Sequence, residues 1–112
     1  MDEAPIGITM SDPSKPDTPL TYVNDRFVEM TGYDRETMLG RNLLFLRASD
    51  ADDDSAVELR AAVDAGEAVT TTLRTQRRDG EAFRNRVSRT PLRDEDGDIT
   101  RWVGFHERLT DR

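Results

Sequence analysis

The sequence predicts an α+β fold, an antiparallel sheet with one face covered by short helices. Three observations carry this. Two short β-rich segments precede residue 24. A run of short helical segments punctuated by glycine follows. From Val69 the pattern alternates with period two through three strands joined by tight turns. The 112 residues fit one domain with one core, and only 35% of them are apolar, so that core must be small.

Each element has a local cause. Ile6 to Met10, bounded by Pro5 and Asp12, reads as a strand. DPSKPDTP is a loop of turn formers closed by Pro19. Leu20 to Val23, with β-branched Thr21 and Val23, is a second short strand. Asn24 is a good N-cap for the helix NDRFVEMTG. There Phe27 and Met30 share a face, and Gly32 supplies a left-handed stop. Asp34 should cap a second short helix, DRETMLG, ended by Gly40, and Asn42 to Leu46 should form one more helical turn.

SDADDDSAVELRAAVDAG gives the clearest helix. Asp50 to Asp54 crowd its start, where they favour the macrodipole, and Ala56, Leu59 and Val63 make its apolar stripe before Gly66 ends it. The acidic run lacks the glycine and terminal glutamate of a calcium loop and reads as a solvated helix start. From Val69, residues Val69, Thr71, Leu73 and Thr75 alternate with polar neighbours as far as Gln76. RRDG, ending at Gly80, and DEDGD, around Gly97, are hairpin turns. The strand between them carries Phe83, Asn85 and Val87 on one face, and Ile99 to Leu109 is the last strand.

Composition narrows the function. Net charge is −7, with 15 Asp and 8 Glu against 15 Arg and 1 Lys. Dense short carboxylates with almost no lysine resemble proteins of salt-loving archaea. In molar salt the Debye length is about 3 Å, so such a surface barely repels itself. An ordinary acidic protein of a GC-rich bacterium is the alternative. An acidic surface argues against nucleic acid as a direct partner. The chain has no cysteine, which excludes disulfides and thiol chemistry. Neither a membrane-length apolar run nor a signal-peptide pattern is present, so the expected setting is cytoplasmic, without membrane contact by this domain. No nucleophile–base constellation, phosphate-cradling glycine loop or metal cluster is legible, and the strand dipeptide His106-Glu107 points its side chains to opposite faces. The domain is therefore not expected to be an enzyme.

Taken in order, ITMSDPSKPDTPLTYVNDRF, MTGYDRETMLGRN, Phe45-Leu46, RRDGEAFRN, TPLRDEDGDI and WVGF resemble the PAS superfamily, and within it the light-oxygen-voltage (LOV) class. The resemblance covers nearly the whole chain. It implies a five-stranded antiparallel sheet of order 2-1-5-4-3, whose helices enclose a pocket against one face. It also implies an entry at DEAPIGIT and an exit at HERLTDR, so that the chain is one PAS domain of a longer signalling protein with a C-terminal effector domain.

The LOV class carries a GRNCRFLQ segment with an adduct-forming Cys and a phosphate-holding Arg. Here the segment is GRNLLFLR: Asn42 is kept, Leu43 replaces the Cys, Leu44 the Arg and Arg47 the Gln. A second phosphate-binding Arg of the class matches Arg60. Of two flavin-edge Asn, one falls on Thr75 and the other on Asn85, and the Gln on the last strand falls on His106. Without a thiol no cysteinyl adduct forms. Non-covalent FMN binding is weakened but has Arg41, Arg47, Arg60 and Thr75 to draw on.

Strand alternation adds its own view of the site. If Asn85 faces inward, so do Phe83, Val87 and Arg89. If His106 does, so do Gly104, Trp102 and Thr100. The expected cavity is walled by Leu43, Leu46, Leu73, Val87 and Trp102. Its polar groups are Asn42, Thr75, Asn85, Arg89 and His106. Two readings stand for several of these. Arg89 binds a ligand carboxylate or phosphate, or else pairs with a nearby acid or turns outward. His106 senses ligand or pH, or is a satisfied sheet histidine. Trp102 stacks on a planar ligand or plugs the core, and Asn42 serves the pocket or caps a helix.

The expected function is a sensory ligand-binding module of a histidine kinase or transducer, homodimeric, taking a small planar or aromatic molecule able to carry a carboxylate. The alternatives are a degenerate LOV domain that holds flavin without photochemistry, and an interaction module whose pocket is filled by its own side chains.

Overall fold

In the computed structural model, which describes residues 6–48 and 54–109, the sheet has five antiparallel strands in the order β2-β1-β5-β4-β3. The strands are β1 (Ile6–Ser11), β2 (Leu20–Val23), β3 (Val69–Gln76), β4 (Ala82–Arg93) and β5 (Ile99–Leu109). Between β2 and β3 lie α1 (Asp25–Thr31), α2 (Arg35–Met38), a 3-10 turn (Leu43–Leu46) and α3 (Asp54–Ala65). The expected fold class and strand order are those observed. Residues 2–5, 49–53 and 110–112, on which the expected entry, most of the acidic run and part of the exit fall, lie outside the described residues.

The helix starts and stops follow their chemistry with one exception. Asn24 Oδ1 accepts from Phe27 N, and Gly32 closes α1 at φ 78°. Asp34 occupies the N-cap position of α2, but its side chain makes no cap hydrogen bond, and α2 is a single turn. Ala56, Leu59 and Ala62 are the buried stripe of α3, and Val63 is only half-buried. The stripe therefore turns one position from the expected Ala56–Leu59–Val63 line, keeping its small residues against the sheet.

In strand β1 the inward set is not the more hydrophobic one. Thr9 and Ser11 are buried along with Gly7, while Ile6, Ile8 and Met10 are half-buried on the outer face. Register supplies the cause. Gly7 pairs with His106, Thr9 with Gly104 and Ser11 with Trp102, so small residues sit opposite the two large rings. Gly7 also admits Phe27, since a Cβ there would lie 2.8 Å from the Phe27 ring. At Gly104 a Cβ would meet Thr9 Oγ1 at 2.5 Å and His106 Nε2 at 3.0 Å. Gly104→Ala is therefore expected to destabilise the domain by about 2 kcal/mol through overpacking, read as a lower thermal midpoint.

The core lies between the sheet's inner face and the helices. Phe27, Met30, Met38, Leu43, Leu46, Leu59, Leu73, Phe83 and Val87 are all buried in one cluster. On β5, Trp102, Gly104 and His106 face inward as alternation requires, but Thr100 is exposed. The β4–β5 hairpin runs past the helices at that end, where Thr100 Oγ1 donates to Leu92 O. Arg93 ties the overhang down by donating to Gly66 O and Gly97 O.

Candidate functional site

Alternation on β3, β4 and β5 brings Thr75, Asn85, Arg89, Trp102 and His106 to the inner face, each at most 4% exposed. Together with Thr9 and Ser11 of β1, they make a polar seam across an otherwise apolar core. The expected walls Leu43, Leu46, Leu73 and Val87 are equally buried and touch protein on all sides. The middle of the domain is thus filled by its own side chains.

The seam is a directed hydrogen-bond chain. Thr75 Oγ1 donates to Leu73 O at 3.2 Å and accepts from Asn85 Nδ2 at 3.3 Å. Asn85 Nδ2 also lies 3.3 Å from His106 Nδ1, and His106 Nε2 lies 3.0 Å from Thr9 Oγ1. With Nδ1 accepting, the proton resides on Nε2 and is donated to Thr9. The Phe27 ring closes over the imidazole at a centroid distance of 4.5 Å. Burial, reinforced by the positive charge of Arg89, holds the His106 pKa down at about 3, so the ring is neutral at physiological pH. Among the described residues, the one fully buried side-chain polar atom without a partner is Asn85 Oδ1. Such an orphan costs about 1–3 kcal/mol.

Arg89 is the second unusual group. It is 4% exposed, and its Nη2 donates to Ser11 Oγ at 3.2 Å. Its guanidinium sits 5.8 Å from the centre of the Trp102 ring, within cation–π range. No carboxylate lies within ion-pair distance of it among the described residues. Desolvation lowers its pKa to about 10, which leaves it charged at neutral pH. Among the described residues Arg89 has no acid partner, and it does not turn outward. Trp102, in turn, is covered by Arg89 and 1% exposed.

Arg89 meets a cavity of about 250 Å³ between the 12–19 loop, the 3-10 turn and α3, lined also by Asn42, Leu44 and Arg60. A wider cleft of about 530 Å³ adjoins it, with Arg41, Arg47 and Arg60 on its rim. Asn42 serves structure first: its Oδ1 accepts from Leu44 N at 2.8 Å and its Nδ2 donates to Asp17 O at 2.7 Å. Arg60 is exposed on α3. The site residues that sequence reasoning missed are Thr9 and Ser11. The signal was the G-x-T-x-S alternation of β1, masked by its more hydrophobic Ile6–Ile8–Met10 set. The carboxylates of Asp94, Asp96 and Asp98 also converge within 4.8 Å at the β4–β5 turn, where all three are exposed. Asp94 Oδ1 accepts from the backbone N–H groups of Asp96 and Asp98, which is ordinary turn chemistry.

The family model of the PAS domain matches residues 5–111. The chain belongs to the PAS domain family. This PAS chain is 39% identical over 112 residues to the bacterioopsin transcriptional activator of Halobacterium salinarum, covering 100% of the chain and 17% of that protein. It is 38% identical over 106 residues to blue-light-activated histidine kinase 1 of Erythrobacter litoralis, covering 95% of the chain and 29% of that protein. The chain thus spans well under a third of the length of these relatives. Among solved structures it resembles the LOV domain of an Erythrobacter litoralis blue-light-activated histidine kinase. The TM-score is 0.89 with 36% identity over 97% of this chain and 100% of that one. It also resembles an RNA-binding light-oxygen-voltage receptor, with a TM-score of 0.87 and 39% identity over 95% of this chain and 30% of that one. It is a sensory domain of the PAS/LOV type found in signalling proteins such as histidine kinases. Among the described residues no helix is long and apolar enough to cross a membrane.

The seam can be tested against the flavin that LOV relatives imply. Asn85 Oδ1 is an acceptor suited to a ring N–H donor. Against this, Leu43 and Leu44 supply neither thiol nor guanidinium, Thr75 spends its proton on Leu73 O, and the apolar walls are closed on one another. The residues present do not fit the flavin without displacement of those walls.

Proposed function

We propose that this PAS domain is the sensory, ligand-binding module of a histidine kinase or transducer, and that its ligand is a small molecule bearing an acid group. The observation that carries the reading is Arg89, a buried and charged guanidinium with no carboxylate partner among the described residues, set beside a cavity. A cation taken out of water is costly unless an anion meets it. Because Arg89 covers the Trp102 ring, the expectation of a planar or aromatic ligand narrows to a small acid, whose signal passes into the sheet through Ser11 and Trp102. A 250 Å³ cavity lies just below the roughly 300–1,000 Å³ range of drug-sized sites, in keeping with few heavy atoms.

Native mass spectrometry of the protein purified from its own host tests this. A retained acid of low mass is expected, and Arg89→Leu should lose it. Retention by the variant, or no saturable response of the wild type to any carboxylate, would sink the reading. A second reading, non-covalent flavin, is favoured only by the orphaned Asn85 Oδ1. A yellow preparation near one chromophore per chain would establish it, and a colourless one removes it.

The C-terminal effector and the cytoplasmic setting belong to the same proposal. So does a homodimer through the sheet's outer face, where Tyr22, Leu92 and Phe105 are each more than 40% exposed. An effector acting on nucleic acid is compatible with a relative that is a transcriptional activator, while this domain's own net charge of −7 opposes direct contact.

A further inference from the structure

The cavity beside Arg89 carries both signs of charge. Arg60 and Arg89 line it together with the acidic residues Asp17 and Asp64, with Leu44 and Val63 as its apolar patch. Four charged side chains around so small a space could neutralise one another. They do not: among the described residues Asp17, Arg60, Asp64 and Arg89 make no ion pair within 4.0 Å.

Each is held back by its own support. Arg89 is anchored under the seam by Ser11 and Trp102, with only Nη2 bonded to protein. Arg89 also lines the cavity. Asp17 and the β-branched Thr18 are set at φ 70° and 46°, the only non-glycine residues at positive φ among those described. The Asn42 amide fixes them there by donating to Asp17 O. Such a backbone costs about 1–3 kcal/mol per residue and persists only where its surroundings hold it. Arg60 and Asp64 stand one turn apart on α3, in the less favourable order for an i,i+4 pair.

Resting on the reading of Arg89 given above, we propose that the ligand is a zwitterion of the α-amino acid class. Its carboxylate sits on Arg89 and Arg60, its ammonium faces Asp17 and Asp64, and its side chain lies on Leu44 and Val63. A monocarboxylic acid would satisfy the arginines and leave both aspartates without a counter-charge. An amine would do the reverse and leave the buried cation unmet.

Trp102 is the only tryptophan and lies under Arg89, so its emission reports occupancy directly. The 112-residue protein is titrated with L-alanine, L-leucine and L-phenylalanine. Each is paired with its des-amino acid (propanoate, 4-methylpentanoate, 3-phenylpropanoate) and its amine (ethylamine, 3-methylbutylamine, 2-phenylethylamine). At least one amino acid is expected to shift the emission saturably, about tenfold tighter than either partner, the scale of one charge-assisted hydrogen bond. Asp17→Asn with Asp64→Asn should remove that advantage, weakening the amino acids while the des-amino acids, freed of two like charges, bind at least as tightly as before. Both positions are exposed, so the fold should survive, as a thermal midpoint checks. Des-amino acids binding as tightly as the amino acids would overturn the zwitterion and leave the acid-sensing reading standing. No response to either set up to about 10 mM, a Kd worth about −2.7 kcal/mol, would overturn both.

Discussion

Replacing Asn24 with alanine is expected to lower the unfolding free energy by about 3 kcal/mol, a large share of the ~5–15 kcal/mol typical of a domain. Asn24 does more than cap α1. Its Oδ1 accepts from Phe27 N and from Ile8 N, each at 2.9 Å, and its Nδ2 donates to Ile6 O at 3.3 Å. One side chain therefore joins the start of α1 to β1. Loss of the cap alone costs about 0.5–2 kcal/mol. The Ile8 amide left without an acceptor adds about 1–3 kcal/mol. Asn24→Asp keeps the acceptor and sets a carboxylate at a helix N-terminus, so it should lose less than about 1 kcal/mol. Urea unfolding with an unchanged m-value is the measurement. A loss below about 1 kcal/mol for the alanine variant would mean that water replaces the amide at both donors. The effect reaches the site as well, because α1 carries Phe27, whose ring packs on Gly7 and His106.

The fold was legible because punctuation and period agree along most of the chain. Asn24, Gly32 and Gly40 mark helix boundaries, RRDG and DEDGD mark hairpins, and the alternation from Val69 onward puts Leu73, Thr75, Asn85 and Val87 on one face. Strand β1 was not legible from hydrophobicity, because its inward set is chosen by what lies opposite. Gly7, Thr9 and Ser11 are small where Phe27, His106 and Trp102 are large. Thr100 was misplaced for a related reason. Alternation says which side a residue faces, but not where the covering helices end. The polar seam could be listed from sequence but not wired, since the donors and acceptors around His106 depend on three strands meeting in register. The opposed charges around Arg89 come from three segments far apart in the chain, and no local pattern announces them.

Lowering the pH from 6.5 to 5 is expected to cost the wild-type domain about 2 kcal/mol of stability that a His106→Gln variant keeps. Burial first, and the Arg89 charge second, push the folded His106 pKa down to about 3, against about 6.5 in an unfolded chain. The unfolded state therefore takes up a proton that the folded state refuses. This contribution to stability is complete above pH 6.5 and falls by about 1.4 kcal/mol per pH unit below it, until the folded pKa is passed. Above pH 5 the carboxylates contribute little, so the histidine can be read alone.

The groups facing the ring support the assignment. Thr9, Asn85 and Phe27 are neutral, and Arg89 is the charge that acts on it. Glutamine keeps one donor and one acceptor for Thr9 and Asn85 but does not titrate. Urea midpoints at pH 7.5, 6.5, 5.5 and 5.0 should diverge steadily between the two proteins, and parallel curves would show that the ring gains a proton while folded.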